Sequence, residues 1–211
     1  MKKNTKIILI VAALIVVLLA ITALVYAYLS DQGTKENNFK VGNNSVEVDE
    51  DFNPPPELED GDNPFIKKVR AENTGNVPCY IRVFFDFSDS AVKENAEISA
   101  VDTTDPDASS WYSYEEYKEH LPTGWVYISL DEDPLLGGYF YYTAPLAVGE
   151  STSYLFQAVN ARFENEYAVT DFEIIITTDS VQVTDKYGKE FEGDDAYKKA
   201  WIELLTQDEE S

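Results

Sequence analysis

Cysteine is nearly absent: Cys79 stands alone among 211 residues, so no internal disulfide can staple the fold. Its neighbours Tyr80, Ile81, Arg82 and Val83 have strand character, which makes a buried, unreactive thiol the simplest reading and a Cys-linked dimer the other. Histidine is equally scarce. A zinc-protease helix needs two histidines one turn apart with a glutamate base between them, and here Glu116-Tyr117-Lys118-Glu119-His120 has the wrong order and a single histidine. A serine triad would have to use the same His120, and the Gly-x-Ser-x-Gly elbow does not occur. Positive charge is the third shortage. The 16 Lys and Arg face 39 Asp and Glu, and the formal net charge of -23 repels phosphate backbones and anionic lipid heads, which argues against nucleic acid as a partner.

What is abundant is acid and aromatic surface. Aromatic residues make up 13% of the chain, enough to build a core in spite of the charge. The acidic stretches Asp131-Glu132-Asp133, Asp102 with Asp105 and Asp107, and Asp60 with Asp62 carry oxygens of the kind Ca²⁺ takes, without a full calcium-loop pattern. No cofactor is expected beyond that, and solvated loop charge is the plainer use of these residues. Tyr139, Tyr141, Tyr142, Trp111 and Trp125 suit either core packing or an aromatic binding platform.

The N-terminus sets the expected compartment. Lys2, Lys3 and Lys6 precede an apolar run from Ile7 to Val25 broken only by Thr22, and Val25-Tyr26-Ala27 offers a cleavage site before Tyr28. Residues 1–27 are therefore expected to be a signal peptide, with an uncleaved transmembrane anchor as the alternative, since the run nearly spans a bilayer. In both cases the lysines stay on the cytoplasmic side and the remainder lies outside, so membrane contact is expected only through this segment.

Along the exported part, residues 28–64 read as an N-terminal strand segment and a Pro-rich acidic loop, and residues 65–211 as the main β domain. Phe39, Val41, Val46 and Val48 are apolar positions of strand material around the turn Gly42-Asn43-Asn44, and residues 49–64, with Pro54-Pro55-Pro56 and Asp60-Gly61-Asp62, are expected to stay outside any sheet. Residues 65–72 and 78–87 read as strands joined by Asn73-Thr74-Gly75-Asn76, a turn expected to need φ > 0 at Gly75. In the second, Cys79, Ile81, Val83, Phe85 and Phe87 alternate onto one face, with Arg82 and Asp86 on the other. The same alternation marks Val126, Ile128 and Leu130, then Phe172, Ile174 and Ile176; residues 139–143 and 151–159 are further strands, with a turn at Pro145-Leu146-Ala147-Val148-Gly149. Two helices are expected. One carries Trp111, Tyr114, Tyr117 and Leu121 and stops at Pro122; the other starts at Asp194 or Asp195 and carries Ala196, Tyr197, Ala200, Trp201 and Leu204. This pattern implies a mainly β chain, an antiparallel β-sandwich with jelly-roll-like winding, two short helices and an N-terminal signal or transmembrane helix.

Several segments together resemble the exported proteins that use the SipW-type signal peptidase, the TasA/camelysin family. They are Ala27-Tyr28-Leu29-Ser30-Asp31 with Asn38-Phe39-Lys40-Val41-Gly42, then Asn73-Thr74-Gly75-Asn76-Val77-Pro78 with Tyr80-Ile81-Arg82-Val83. Residues 139–143 with Pro145-Leu146 and Gly149-Glu150-Ser151-Thr152, and Val181-Gln182 with Ala200-Trp201, complete the set. The resemblance implies a jelly-roll-like fold, secretion to the cell surface or biofilm matrix of Gram-positive-type bacteria, and processing by a signal peptidase of the SipW type. It also implies self or related matrix subunits as partners. Camelysin carries a metalloprotease label, so a secreted metalloprotease is one alternative and a membrane-anchored ligand-binding surface domain another. A freed segment 28–48 is expected to act as a donor strand, with Phe39, Val41, Val46 and Val48 filling pockets along a neighbour's sheet edge.

Overall fold

The computed structural model describes residues 45–53, 55 and 57–207, all within the compact unit Gly42–Ser211. The apolar run and Ala27, Tyr28, Phe39 and Val41 lie outside the described residues. Nine strands are described: β1 (Val46–Asn53), β2 (Gly61–Asn73), β3 (Cys79–Phe87), β4 (Glu97–Ser99), β5 (Tyr112–Ser113), β6 (Trp125–Ile128), β7 (Tyr139–Leu146), β8 (Phe156–Phe163) and β9 (Ile174–Gln182). Three helices accompany them: α1 (Ser90–Asn95), α2 (Tyr114–Tyr117) and α3 (Ala196–Gln207). The described chain is mainly β, in a five-stranded sheet β1-β2-β8-β4-β5 and a four-stranded sheet β6-β7-β3-β9. Every pairing is antiparallel.

The alternation in β3 explains how the sheets come together. Cys79, Ile81, Val83, Phe85 and Phe87 are all buried, and they share one core with Phe65, Val69 and Ala71 of β2 and Phe156, Val159, Ala161 and Phe163 of β8. Phe85 is central to it, its ring centroid 4.7 Å from Phe156, 5.1 Å from Tyr114 and 5.9 Å from Phe140. Burying each such ring contributes about 1.5–3 kcal/mol. The other face of the four-stranded sheet is not left to solvent. Tyr80, Ile128, Tyr141 and Val181 pack under Ala196, Tyr197, Ala200 and Trp201 of α3, forming a second core.

The strands extend further than proline content suggests. β1 continues to Asn53 and β2 begins at Gly61, so much of the stretch 49–64, expected to be loop, lies in the sheet. Pro64 is accommodated because β1 ends with Asn53 opposite Ile66; residues 61–64 have a ladder partner only on β8. Pro145 likewise lies inside β7, where the register with β3 shifts between Leu146 and Tyr142 and β6 has already ended opposite Tyr142. Leu130, expected to share a buried face with Ile128, is 64% exposed because β6 stops at Ile128.

The helices differ in extent and number. The first expected helix is confined to α2, because the Ser113 hydroxyl accepts from the Glu116 amide and starts it there; Trp111 lies upstream, beyond the short strand β5. α1 adds a third helix, capped by the Asp89 carboxylate, which accepts from the Ala91 and Val92 amides at 2.8 and 3.0 Å. With Val92 as its one buried residue, six residues offer no apolar stripe to read. In α3 the stripe holds for Ala196, Tyr197, Ala200 and Trp201, whereas Leu204 is 36% exposed.

Candidate assembly edge

Of the expected assembly residues, Val46 and Val48 fall in β1, the outermost strand of the five-stranded sheet, and Phe39 and Val41 lie outside the described residues. β1 pairs with β2 of its own chain, Val46 opposite Asn73 and Val48 opposite Ala71, and both valines pack partly buried against the main core. Two of the strand's acidic residues are tied to β2: Asp49 pairs with Arg70 at 2.6 Å, and Glu50 with the largely buried Lys67. The Asp49 hydrogen bond raises the Arg70 pKa further above its ordinary value. Glu47 and Asp51 add charge to the same edge, the device by which edge strands resist unwanted pairing.

β9 is the outermost strand of the other sheet and is guarded far less. Its sequence, Ile174-Ile175-Ile176-Thr177-Thr178-Asp179-Ser180-Val181-Gln182, contains no lysine or proline. Its one charge, Asp179, is held by Arg82 at 3.0 Å. Ile175 is 42% exposed. β1 and β9 come close to one another, yet no ladder joins them among the described residues. An extended segment laid along β9 would find unpaired main-chain groups and β-favouring side chains.

The turn that leads out of β2 is anchored by a side chain. Asn73 is fully buried; its Nδ2 donates to the carbonyls of Val77 at 2.9 Å and Leu146 at 3.0 Å, and its Oδ1 accepts from the Gly75 amide at 3.0 Å. The Ser45 carbonyl, just ahead of β1, accepts from the amides of Thr74 and Gly75. Gly75 is not among the glycines with positive φ, which corrects the expectation of a left-handed residue there: the Asn73 carboxamide, rather than a glycine conformation, shapes the turn.

The residues considered for chemistry are dispersed. His120 is exposed, stacked on Tyr112 at 4.0 Å, its Nδ1 2.8 Å from the Glu116 carbonyl. Cys79 is fully buried, and burial pushes its thiol pKa up to about 11. Asp62 pairs with Arg162 and Asp102 with Lys68, while Asp105 and Asp133 accept from backbone amides within their own turns. Among the described residues no group of three or more His, Cys, Asp or Glu is placed to hold a metal ion. The aromatic residues do not converge on one platform. Trp125 and Tyr142 turn into the main core, Tyr139 and Tyr141 face α3, and Trp111 donates its indole N–H to the Asp105 carbonyl in a loop.

Arg82, which alternation places on the opposite face of β3 from the main core, is only 9% exposed. Its guanidinium lies between the rings of Tyr139 and Trp201, 4.0 and 4.3 Å from their centroids. Alternation alone carries no sign that α3 will cover that face. The edge character of β9 is equally invisible before the strand order is known. No protein-family model matches the chain, and no curated protein matches it.

Proposed function

We propose that this chain is an exported, non-catalytic structural subunit of the cell surface or biofilm matrix, of the TasA/camelysin type, that assembles by donor-strand exchange. The observation that carries this reading is positional: the first described strand, β1, is an edge strand, and it lies beside the open edge of β9. The segment 28–48, released at its front by a SipW-type peptidase acting between Ala27 and Tyr28, supplies the donor strand. Phe39, Val41, Val46 and Val48 are its pocket-filling side chains. Pairing of Val46 and Val48 with β2 of the same chain is compatible with exchange, because a swapped strand makes the same contacts in a neighbour.

The finer reading of the fold is a jelly-roll-like β-sandwich. Its support is the winding: from β2 to β4 the chain changes sheet at each strand, then again from β5 to β6, β7 to β8 and β8 to β9. The β3–β7 pair nests inside the β2–β8 pair. Closed nesting of this kind suits a rigid subunit, and the aromatic and Asn-mediated contacts described above are spent on packing.

The test uses the exported protein, with deletion of residues 28–38 combined with Phe39→Asp, and separately Ile175→Lys with Thr177→Lys on β9. Both sets should reduce oligomers seen by light scattering and electron microscopy to folded monomers. A mature wild-type protein that stays monomeric at high concentration across pH and salt would reject the reading.

A further inference from the structure

The described residues contain eleven lysines and arginines, and nine of them are held in ion pairs with neighbouring carboxylates. The two others, Lys186 and Lys189, share one turn between β9 and α3, in which Thr184 bridges to Glu190. Tyr187 lies between them and is 83% exposed. Lys186, Gly188 and Lys189 are exposed as well, and the Lys186 ammonium lies 5.5 Å from the Tyr187 ring centroid.

Three carboxylates adjoin this tip, and two of them are engaged by its backbone amides. The Asp185 carboxylate accepts from the amides of Tyr187 and Lys189, both at 2.9 Å, which closes the turn from inside. Glu203 of α3 reaches across to accept from the Lys186 amide at 2.8 Å. Glu190, itself exposed, is close enough to Tyr80 to help raise that phenol, after burial. What the turn presents is two exposed lysines on either side of an exposed tyrosine in sequence, on a molecule of net charge -23. Tyrosine is a favoured contact residue, because its ring buries area at low entropic cost, and the flanking lysine charges steer the encounter.

We infer that the Lys186-Tyr187-Gly188-Lys189 tip is a docking element for a second copy of this chain. The inference rests on the reading that the protein self-associates, and charge complementarity selects the occupant. Two copies of a strongly acidic protein repel one another unless contact begins at a positive patch, and among the described residues this tip carries the unpaired cations. Because the tip repels its own image, it cannot sit against itself on a two-fold axis; it must meet an acidic surface elsewhere on the next copy.

The test compares wild-type exported protein with the double variant Lys186→Glu/Lys189→Glu and with Tyr187→Ala, by sedimentation velocity in about 50 mM and about 500 mM NaCl, a range over which surface charge is progressively screened. Unchanged thermal unfolding checks that each variant is folded. Wild-type association should weaken at high salt, and the double variant should associate at least tenfold more weakly at low salt, with Tyr187→Ala intermediate. A carbodiimide cross-link from Lys186 or Lys189 to a carboxylate of an isotopically labelled second copy should appear in wild type. Equal association of wild type and double variant, or cross-links between copies that never involve the tip, would overturn this contact and leave the self-association reading standing. A wild-type protein monomeric in both salts overturns both.

Discussion

Asn73, itself fully buried, organises the β2–β3 turn through three hydrogen bonds. Removing a buried partner leaves the Val77 and Leu146 carbonyls unsatisfied, so Asn73→Ala should cost about 3 kcal/mol, read from chemical denaturation. Gly75→Val should cost well under that, since Gly75 does not occupy the left-handed region. Cys79 gives the molecule an alkaline limit. Its thiol is raised from 9.0 to about 11 by burial, so the unfolded chain loses this proton first as pH rises. The unfolded state then binds fewer protons than the folded one, and stability present below pH 9.0 declines toward about pH 11. Tyr114 and Tyr117, raised mainly by burial, act with the same sign at higher pH. Denaturation midpoints should therefore fall between pH 8.5 and 10.5, less steeply in Cys79→Ala, and the native thiol should resist alkylation at about pH 8.

Among the elements, α3 depends most on a single remote side chain. Arg82 of β3 is stacked between Tyr139 and Trp201 and held by Asp179, so it joins the helix to the sheet. A partly desolvated cation–π contact contributes about 2 kcal/mol, and the rigid planar guanidinium suits it better than an ammonium. Arg82→Lys should loosen α3 and Arg82→Ala should do so further, seen as faster amide exchange across residues 196–207 with β2 and β8 unaffected. The strands show how local signals succeed and fail. In β3 the period-two pattern places five side chains in the core, because one face of an antiparallel sheet must be apolar. The same pattern places Arg82 on the opposite face but does not say that this face is covered, because whether it meets water depends on an element more than a hundred residues away. Proline is a poor guide in β2 and β7 for a related reason: its missing donor matters only where a neighbouring strand asks for it, and Pro64 and Pro145 sit where a neighbour has ended or slipped register.

For the whole molecule, export is the property to establish first. N-terminal sequencing of secreted protein should read Tyr28-Leu29-Ser30, with residues 1–27 removed; recovery of full-length, membrane-bound chain alone would favour the anchor instead. The sequence by itself determined the absence of a disulfide, the acidic surface, the antiparallel β character and the inward face of β3, because composition and period-two alternation are properties of the chain and of local backbone geometry. The tertiary structure decided which strands became edges, that α3 would roof the second face, that Asn73 would shape its turn, and that Lys186 and Lys189 would be left without carboxylate partners among the described residues. Those features are pairings between residues far apart in the chain, and the energy that selects them arises only when the two sheets and α3 pack together.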